Sequence, residues 1–261
     1  MFWRLHEAVL GDSAQLVKSI IAEDGHQIIS GALLPEVSCT QPQACFAITT
    51  LQDAKNLLRT TSPGEPWLYY NHKDYLVSSW LSRVDVKCLN DDFLFIPYAL
   101  ISEKRIEHLG SRFFIRPNSG NKLFTGFDFS SIKELKNNLD YFQLMPDDMC
   151  CISSYKKIQP VEYRFWICDG EIIAFAPYSW DGDVCREEVP QNVLSLALCL
   201  AQKRSLPQEC YVADFALDIS GEASLIEINA FSTSGFYPGM QLESFFAKLK
   251  IFCEKKFEQV W

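Results

Sequence analysis

The sequence predicts a small α/β domain followed by a larger α+β region, and three observations carry that expectation. The first third alternates helix-period and strand-period apolar patterns, as helices packed on a parallel sheet require. From Phe93 onward strands dominate with one helix among them, which suits antiparallel pairing. Near the C-terminal end, Tyr211–Asn229 reads as two strands joined by a tight turn, Asp218–Glu222, that contains Gly221. There Ile226 and Ile228 alternate with Glu227 and Asn229, giving one buried and one polar face.

Taken in order, Asp12 followed by Gln15 resembles a capping box, and Gly25 marks a helix end. Ala14, Val17, Ile20 and Ile21 supply the apolar stripe between them. Ala44–Ile48 reads as a buried strand, and Thr50 with Asp53 opens a second helix through Leu57 and Leu58. Thr61–Pro66 is a turn cluster, and Trp67–Tyr70 reads as another strand. The region after residue 90 opens on Phe93–Pro97. Arg112–Arg116, Met149–Ser153, Glu162–Cys168 and Glu171–Ala176 read as strands, and Ser130 or Ser131 caps a helix through Leu135 and Leu139 to Phe142. Val193–Lys203 is a helix apolar nearly all round, hence well buried. A long last helix places Leu242, Phe245, Phe246, Leu249, Phe252 and Phe257 on one side. That stripe suits packing, either within the chain or against a second copy in a homodimer.

Composition narrows the function. A net charge of −9 disfavours a general nucleic-acid coat, which needs a basic surface. The longest apolar run, Leu196–Ala201, falls far short of the roughly 20 residues that cross a bilayer. Met1–Glu7 lacks a basic region followed by an apolar block. The expectation is a cytoplasmic protein with neither nucleic-acid nor membrane partners. The 10 cysteines include no Cys-x-x-Cys pair, Cys150 and Cys151 sit side by side in a predicted strand, and the 4 histidines have no zinc-like spacing. They are expected as small core residues in a reducing compartment, with neither a disulfide nor a zinc site.

Chemistry concentrates at three places. Pairing the two strands of Tyr211–Asn229 brings Asp214, Glu227 and Asn229 to one face: three hard oxygen donors, the kind of set that holds magnesium together with substrate phosphates. A solvated strand face is the alternative. The small polar loop Ala230–Tyr237 follows directly, and loops at strand ends often carry function. Neither Gly-x-x-x-x-Gly-Lys-Ser/Thr nor Gly-x-Gly-x-x-Gly occurs, so the best phosphate cradle is Arg116–Gly126. Arg116 ends an apolar strand, Pro117 keeps its chain extended, Asn118, Ser119, Gly120 and Asn121 form a flexible turn of amide donors, and Lys122 adds a cation. An exposed hairpin turn is the alternative there. In Glu162-Tyr-Arg-Phe-Trp, the residues Glu162, Arg164 and Trp166 share a strand face. Glu162 suits ribose hydroxyls and Arg164 a γ-phosphate or oxyanion, unless the two form only a surface pair.

An Asp in one strand, a Glu-x-Asn thirteen residues later and a Ser/Gly loop resemble the metal-binding end of ATP-grasp enzymes. Phe113–Gly126 resembles the strand and loop that close over the ATP phosphates, and Glu162–Ala174 the hairpin that lines the nucleotide cleft. The likeness spans roughly Asp91–Tyr237 and is greatest to small phage and bacterial ATP-grasp proteins with an Arg-Pro…Lys lid motif. It implies an ATP-grasp domain over 91–261 after an N-terminal α/β domain over 1–90, with a lid over 91–180 and a metal-binding part over 181–261. It also implies ATP and Mg2+, held by Asp214, Glu227 and Asn229 on the metal side. Arg116, Lys122 and Arg164 are the implied catalytic cations, with nucleotide contacts from Glu162 and from a hinge of Ser154, Tyr155, Lys156 and Ile158. The implied reaction is carboxylate–amine ligation through an acyl phosphate, releasing ADP and phosphate. The acceptor would be a small molecule, a peptide or a protein terminus, and Tyr178 either shapes its pocket or belongs to the core. The chain departs from the family pattern in having Arg116 where Lys is common, no Glu in the hinge, and Val212 where an Arg often precedes the metal Asp. Phosphoryl transfer to a hydroxyl, and a nucleotide- or partner-binding module without turnover, are the alternatives.

Overall fold

Parallel strands open the chain, and two antiparallel sheets follow in the computed structural model, which describes residues 1–30, 45–60, 68–120, 122–179 and 188–260. Strand β1 (Phe2–His6) lies between β2 (Gly25–Ile29) and β3 (Cys45–Ile48), parallel to both. Parallel neighbours need a crossover, and α1 (Glu7–Leu10) and α2 (Ala14–Ile20) supply the one from β1 to β2. Trp3 and Leu5 are fully buried, while Arg4 and His6 are buried polar residues on the opposite face. Neither β1 nor β2 is among the expected strands: α2 already ends at Ile20, so Gly25 starts β2 instead of ending the helix as expected. The expected Asp12–Gln15 box does not form either. A 3-10 turn at Gly11–Ser13 precedes α2, and Ser13 makes no side-chain cap bond.

Helix α3 (Leu51–Thr60) starts as expected. Thr50 Oγ1 donates to Asp53 Oδ2 at 2.8 Å, and Asp53 N donates back to Thr50 Oγ1 at 3.3 Å, a reciprocal cap. His6 Nδ1 accepts from Ala8 N at 3.1 Å, so its proton sits on Nε2, which faces Asp53 Oδ2 at 3.1 Å and ties β1 to α3. Ala44, the cluster Thr61–Pro66, Trp67 and Asn121 lie outside the described residues. Leu68–Tyr70 forms no strand, contrary to expectation: Tyr69 pairs with Ser232, and α4 (Val77–Leu81) follows.

The first antiparallel sheet has the order β4-β7-β5-β6, from β4 (Leu94–Pro97), β5 (Phe113–Pro117), β6 (Phe127–Phe129) and β7 (Met149–Ser154). The short helix α5 (Glu103–Ile106) precedes β5, and α6 (Ile132–Leu139) follows β6. Ser131 Oγ accepts from Glu134 N, and Glu134 Oε2 accepts from Ser130 N, so both candidate cap residues are used. Ile96, Ile115, Phe129, Leu135 and Ile152 form the core of this unit.

The second antiparallel sheet has the order β11-β10-β8-β9, from β8 (Ile158–Cys168), β9 (Glu171–Ser179), β10 (Cys210–Asp218) and β11 (Ala223–Ala230). The β8–β9 hairpin, expected to belong with the lid strands, thus hydrogen-bonds to the strand that carries Asp214. Gly221 turns β10 into β11 at φ +85°, with Asp218 Oδ1 accepting from Ser220 N and Glu222 N. Helix α7 (Gln191–Lys203) buries Val193, Ala197, Leu200 and Ala201 on one face of this sheet, but Leu198 is 40% exposed, so the helix is buried on one side only. Helix α8 (Leu242–Val260) covers the other face. Its Phe245, Phe246 and Leu249 lie between Trp166 and Val212 of the large sheet and Trp3 and Phe46 of the small one. Each of those side chains contributes about 1.5–3 kcal/mol by leaving water. The apolar stripe is therefore packed within the chain.

Cys168 and Cys210 form a disulfide, against expectation. They lie directly opposite in the β8–β10 register with Cα atoms 4.2 Å apart, a proximity that only the strand pairing creates. Cys150 and Cys151 are buried thiols, as expected, and burial pushes the Cys150 thiol up to about 12. Among the described residues no helix is long and apolar enough to cross a membrane.

Candidate active site

Side chains two apart on a strand share a face, so Arg164 and Trp166 of β8 line up with Asp214 and Val212 of β10. On the other side Val212 pairs with Asn229 and Asp214 with Glu227 of β11. At the Trp166–Val212 level this face is sealed by α8. One rung further the cover ends and the side chains become polar. A bulge after Asp214 leaves Ile226 extra on β11 and re-aims the strand beside Glu227.

A cavity of about 270 Å³ opens there. Its lining includes Arg116, Lys122, Arg164, Glu227, Asn229 and Tyr237, with Leu51 and Tyr75 from the N-terminal part and Thr233, Ser234 and Gly235 from the loop after β11. Glu227 forms an ion pair with Arg116 Nη2, and Arg116 Nη1 donates to the Ile226 carbonyl at 3.2 Å. Since Arg116 lies near the end of β5 and Glu227 on β11, this pair joins the two antiparallel sheets. Burial alone would raise the Glu227 carboxyl, but Arg116, Lys122, the Asn229 hydrogen bond and Arg164 hold it at about 2.

Arg164 Nε and Nη2 donate to Asp214 Oδ1 and Oδ2, both at 2.7 Å, and Asn229 Nδ2 donates to the same Oδ2 at 3.0 Å. Asp214 is fully buried and stands behind Arg164, not on the cavity wall. Burial works against the Arg164 charge, and Asp214 outweighs it, holding the guanidinium pKa well above its usual value. The Tyr178 and Tyr237 rings stack at 4.4 Å and 2°, and the Arg164 guanidinium lies 5.2 and 4.9 Å from their centroids. The Tyr178 hydroxyl bonds the buried Glu162 carboxylate. Tyr178, left open between pocket and core by the sequence, thus supports the pocket wall from behind.

The cradle is anchored, where a flexible turn was expected. Asn118 Oδ1 accepts from Ser78 N and its Nδ2 donates to Ser78 Oγ, both at 3.0 Å, while Asn118 N donates to Met149 O at 2.8 Å. A Cβ at Gly120 would press on the His72 carbonyl at 3.0 Å and on Tyr75 Cβ at 3.1 Å, so glycine lets this turn pack closest. The Lys122 side chain is exposed and has no ion pair among the described residues. In the loop after β11, Ser232 and Ser234 hold the chain itself: Ser232 Oγ accepts from Tyr69 N at 2.9 Å and Ser234 Oγ donates to Ala230 O at 2.8 Å.

The hinge residues lie apart from this cavity. Ser154 N and Oγ donate to Asp92 Oδ2 at 3.1 and 2.5 Å. Lys156 Nζ donates to Leu89 O, Asp91 and Asp92. Tyr155 N donates to Arg112 O, with the Arg112 guanidinium 4.1 Å from its ring, and Ile158 opens β8 opposite Asp218. No local pattern marks Asp92 as the hinge's internal partner or Tyr75 as part of the cavity wall. Both meet the site only through tertiary packing.

A family model described as an ATP-grasp domain, the third family of its clade, matches residues 69–249. The chain belongs to this ATP-grasp family. A comparison with curated proteins finds no match. The fold is also that of solved ATP-grasp structures. A RimK domain protein from Sphaerobacter thermophilus is 11% identical with TM-score 0.60, over 98% of this chain and 97% of that one. D-alanyl-alanine synthetase A from Vibrio cholerae is 13% identical with TM-score 0.61, over 98% of each chain. The macrocyclase MdnC from Microcystis aeruginosa, solved with its precursor peptide MdnA, is 12% identical with TM-score 0.57, over 96% of this chain and 99% of that one.

ATP-grasp enzymes use ATP, generally with Mg2+. Among the described residues no group of three or more His, Cys, Asp or Glu side chains forms a metal cluster. Glu227 and Asn229, however, put hard oxygen donors on the cavity wall, and a carboxylate with substrate phosphates is how magnesium is commonly held. The donor set fits a cation that arrives with a nucleotide.

Proposed function

We propose that this ATP-grasp chain is an ADP-forming carboxylate–amine ligase. The observation that supports it best is the convergence of Arg116, Lys122 and Arg164 on one cavity whose floor is Glu227 and Asn229. In the proposed reaction a substrate carboxylate attacks the γ-phosphorus of ATP, giving an acyl phosphate and ADP. An amine then attacks the acyl carbon, and the tetrahedral oxyanion collapses to amide and phosphate. Both steps gather negative charge on oxygen, so fixed cations and not a protein nucleophile are what the chemistry needs. Lys122 and Arg116 hold the phosphate oxygens. Arg164, with two of its nitrogens spent on Asp214, turns Nη1 to the developing charge. Glu227 and Asn229 hold Mg2+, which when bound neutralises the phosphates.

Tyr237, Leu51 and the Thr233–Gly235 turn form the acceptor end, suited to a small molecule, a peptide or a protein terminus. Dependence on ATP supports a cytoplasmic site of action, where the Cys168–Cys210 disulfide would be exceptional. Val212 in place of the usual Arg favours a second reading, a nucleotide-binding module without turnover, and product analysis separates it from a ligase or a kinase.

The test is calorimetry of Mg2+–ATP on the native chain, Glu227→Gln and Lys122→Ala. Native binding weakened about tenfold or more in both, the size of one charged hydrogen bond, is the expected result. A folded native protein that binds no ATP would overturn the proposal. With binding in hand, ADP release with carboxylate and amine mixtures distinguishes the ligase from the inert module.

A further inference from the structure

We infer that Asp214 is a positioning residue that acts through Arg164 and is not a ligand of the metal, an inference that rests on the nucleotide reading of the cavity. Three donors already occupy its carboxylate. Arg164 Nε takes Oδ1, and Arg164 Nη2 and Asn229 Nδ2 share Oδ2. The side chain is buried and the cavity wall is made by its neighbours Arg164, Glu227 and Asn229. A cation on Asp214 would stand against the guanidinium bound to the same oxygens, where like charges repel strongly because little water screens them. A cation entering from the cavity meets Glu227 and Asn229 instead.

Bidentate pairing fixes the plane and rotation of the guanidinium, which a single contact would not. The stacked Tyr237 and Tyr178 rings limit it from the face, and Glu162 holds Tyr178 in turn. Asp214 itself is held by the sheet, directly opposite Arg164 in the β8–β10 register. The result is one guanidinium edge, Nη1, presented to an anion at a set angle. Asp214 sets that geometry without touching the anion.

The test compares native protein with Asp214→Asn, Arg164→Met, the double variant and Glu227→Gln, using Mn2+ and a non-hydrolysable ATP analogue. Mn2+ affinity in the ternary complex is read by water-proton relaxation, and nucleotide affinity by calorimetry. Asp214→Asn keeps an amide oxygen that can still accept from Asn229 Nδ2. It is therefore expected to hold Mn2+ affinity within about threefold, while Glu227→Gln, which loses an anionic donor, drops at least about tenfold. Asp214→Asn and Arg164→Met each weaken nucleotide binding, and the double variant is no weaker than the worse single, as for two residues acting as one unit. If Asp214→Asn loses Mn2+ as Glu227→Gln does, or its effect adds to that of Arg164→Met, the inference fails while the nucleotide site stands. Should Asp214→Asn not fold, the double variant, which leaves no buried charge alone, decides by its Mn2+ affinity: retention supports the inference and loss overturns it. A native protein that binds neither probe overturns this inference and the ligase reading together.

Discussion

Ser232→Ala isolates one hydrogen bond that ties the site loop to the N-terminal part of the chain. Ser232 is fully buried, and its Oγ accepts from Tyr69 N at 2.9 Å. Two backbone bonds beside it, Thr49 N to Ser232 O at 2.7 Å and Ser232 N to Tyr69 O at 3.3 Å, need no side chain and survive the change. The variant therefore strands one buried N–H, which costs about 1–3 kcal/mol. The lost hydroxyl leaves only a small void, so packing loss adds less than about 1 kcal/mol. Urea unfolding followed by tryptophan fluorescence measures the sum, with an unchanged slope expected because the same surface is exposed. Thr233→Ala, on the cavity side of the same turn, is the control and should stay within about 0.5 kcal/mol. A Ser232→Ala change no larger than that control would refute the reasoning, because it would mean that the Tyr69 N–H finds another acceptor.

Two further outcomes follow from the charges and the disulfide. The Glu227 carboxyl is held at about 2, below its usual value of 4.5, so its stabilising effect is fully present above the usual value and is lost as pH falls from there towards 2. The stability difference between native protein and Glu227→Gln should thus be flat from about pH 8 to about 5.5 and shrink below about 4.5, and a decline already between about pH 7 and 5.5 would show that burial, not Arg116, governs this group. In oxidised protein, alkylation after unfolding without reductant should leave Cys168 and Cys210 unlabelled, and Cys210→Ser should cost about 4 kcal/mol for a 42-residue separation on the chain-entropy account. Labelling of both residues would overturn the assignment.

What the sequence made legible were features that local chemistry decides. Thr50 and Asp53 cap α3 because their side chains reach each other within one turn. Ile228 joins the core while its neighbours Glu227 and Asn229 line the cavity, because a strand has two faces; the expected partner Ile226 drops out of that alternation at the bulge. Partners far apart in the chain stayed hidden. Cys168 and Cys210 meet through register, and Arg116 finds Glu227 across 111 positions. Leu68–Tyr70 has the composition of a strand, but its hydrogen bonds go to Ser232, which no local pattern encodes. As a neighbourhood, Arg116, Lys122, Arg164, Glu227 and Asn229 were legible, and they share the cavity. Which residue faces it and which braces a neighbour depends on burial, and Asp214 and Glu162 lie one layer back.

On the proposed nucleotide reading, the ion pair between Arg116 and Glu227 bears on the order in which ligands would enter. Each member is the natural counter-charge of one half of a magnesium–nucleotide complex: the guanidinium for phosphate, the carboxylate for the cation. If that complex arrived whole, the two could exchange partners, and the negative charge brought into the cavity would be smaller than the nucleotide alone would bring, because the cation offsets part of it. Nucleotide alone would take Arg116 and leave Glu227 facing a triphosphate, while the cation alone would take Glu227 and leave Arg116 facing a dication. On that reading the cavity would favour the two as a pair over either by itself, and the same exchange would loosen the Arg116–Glu227 contact that joins the sheets.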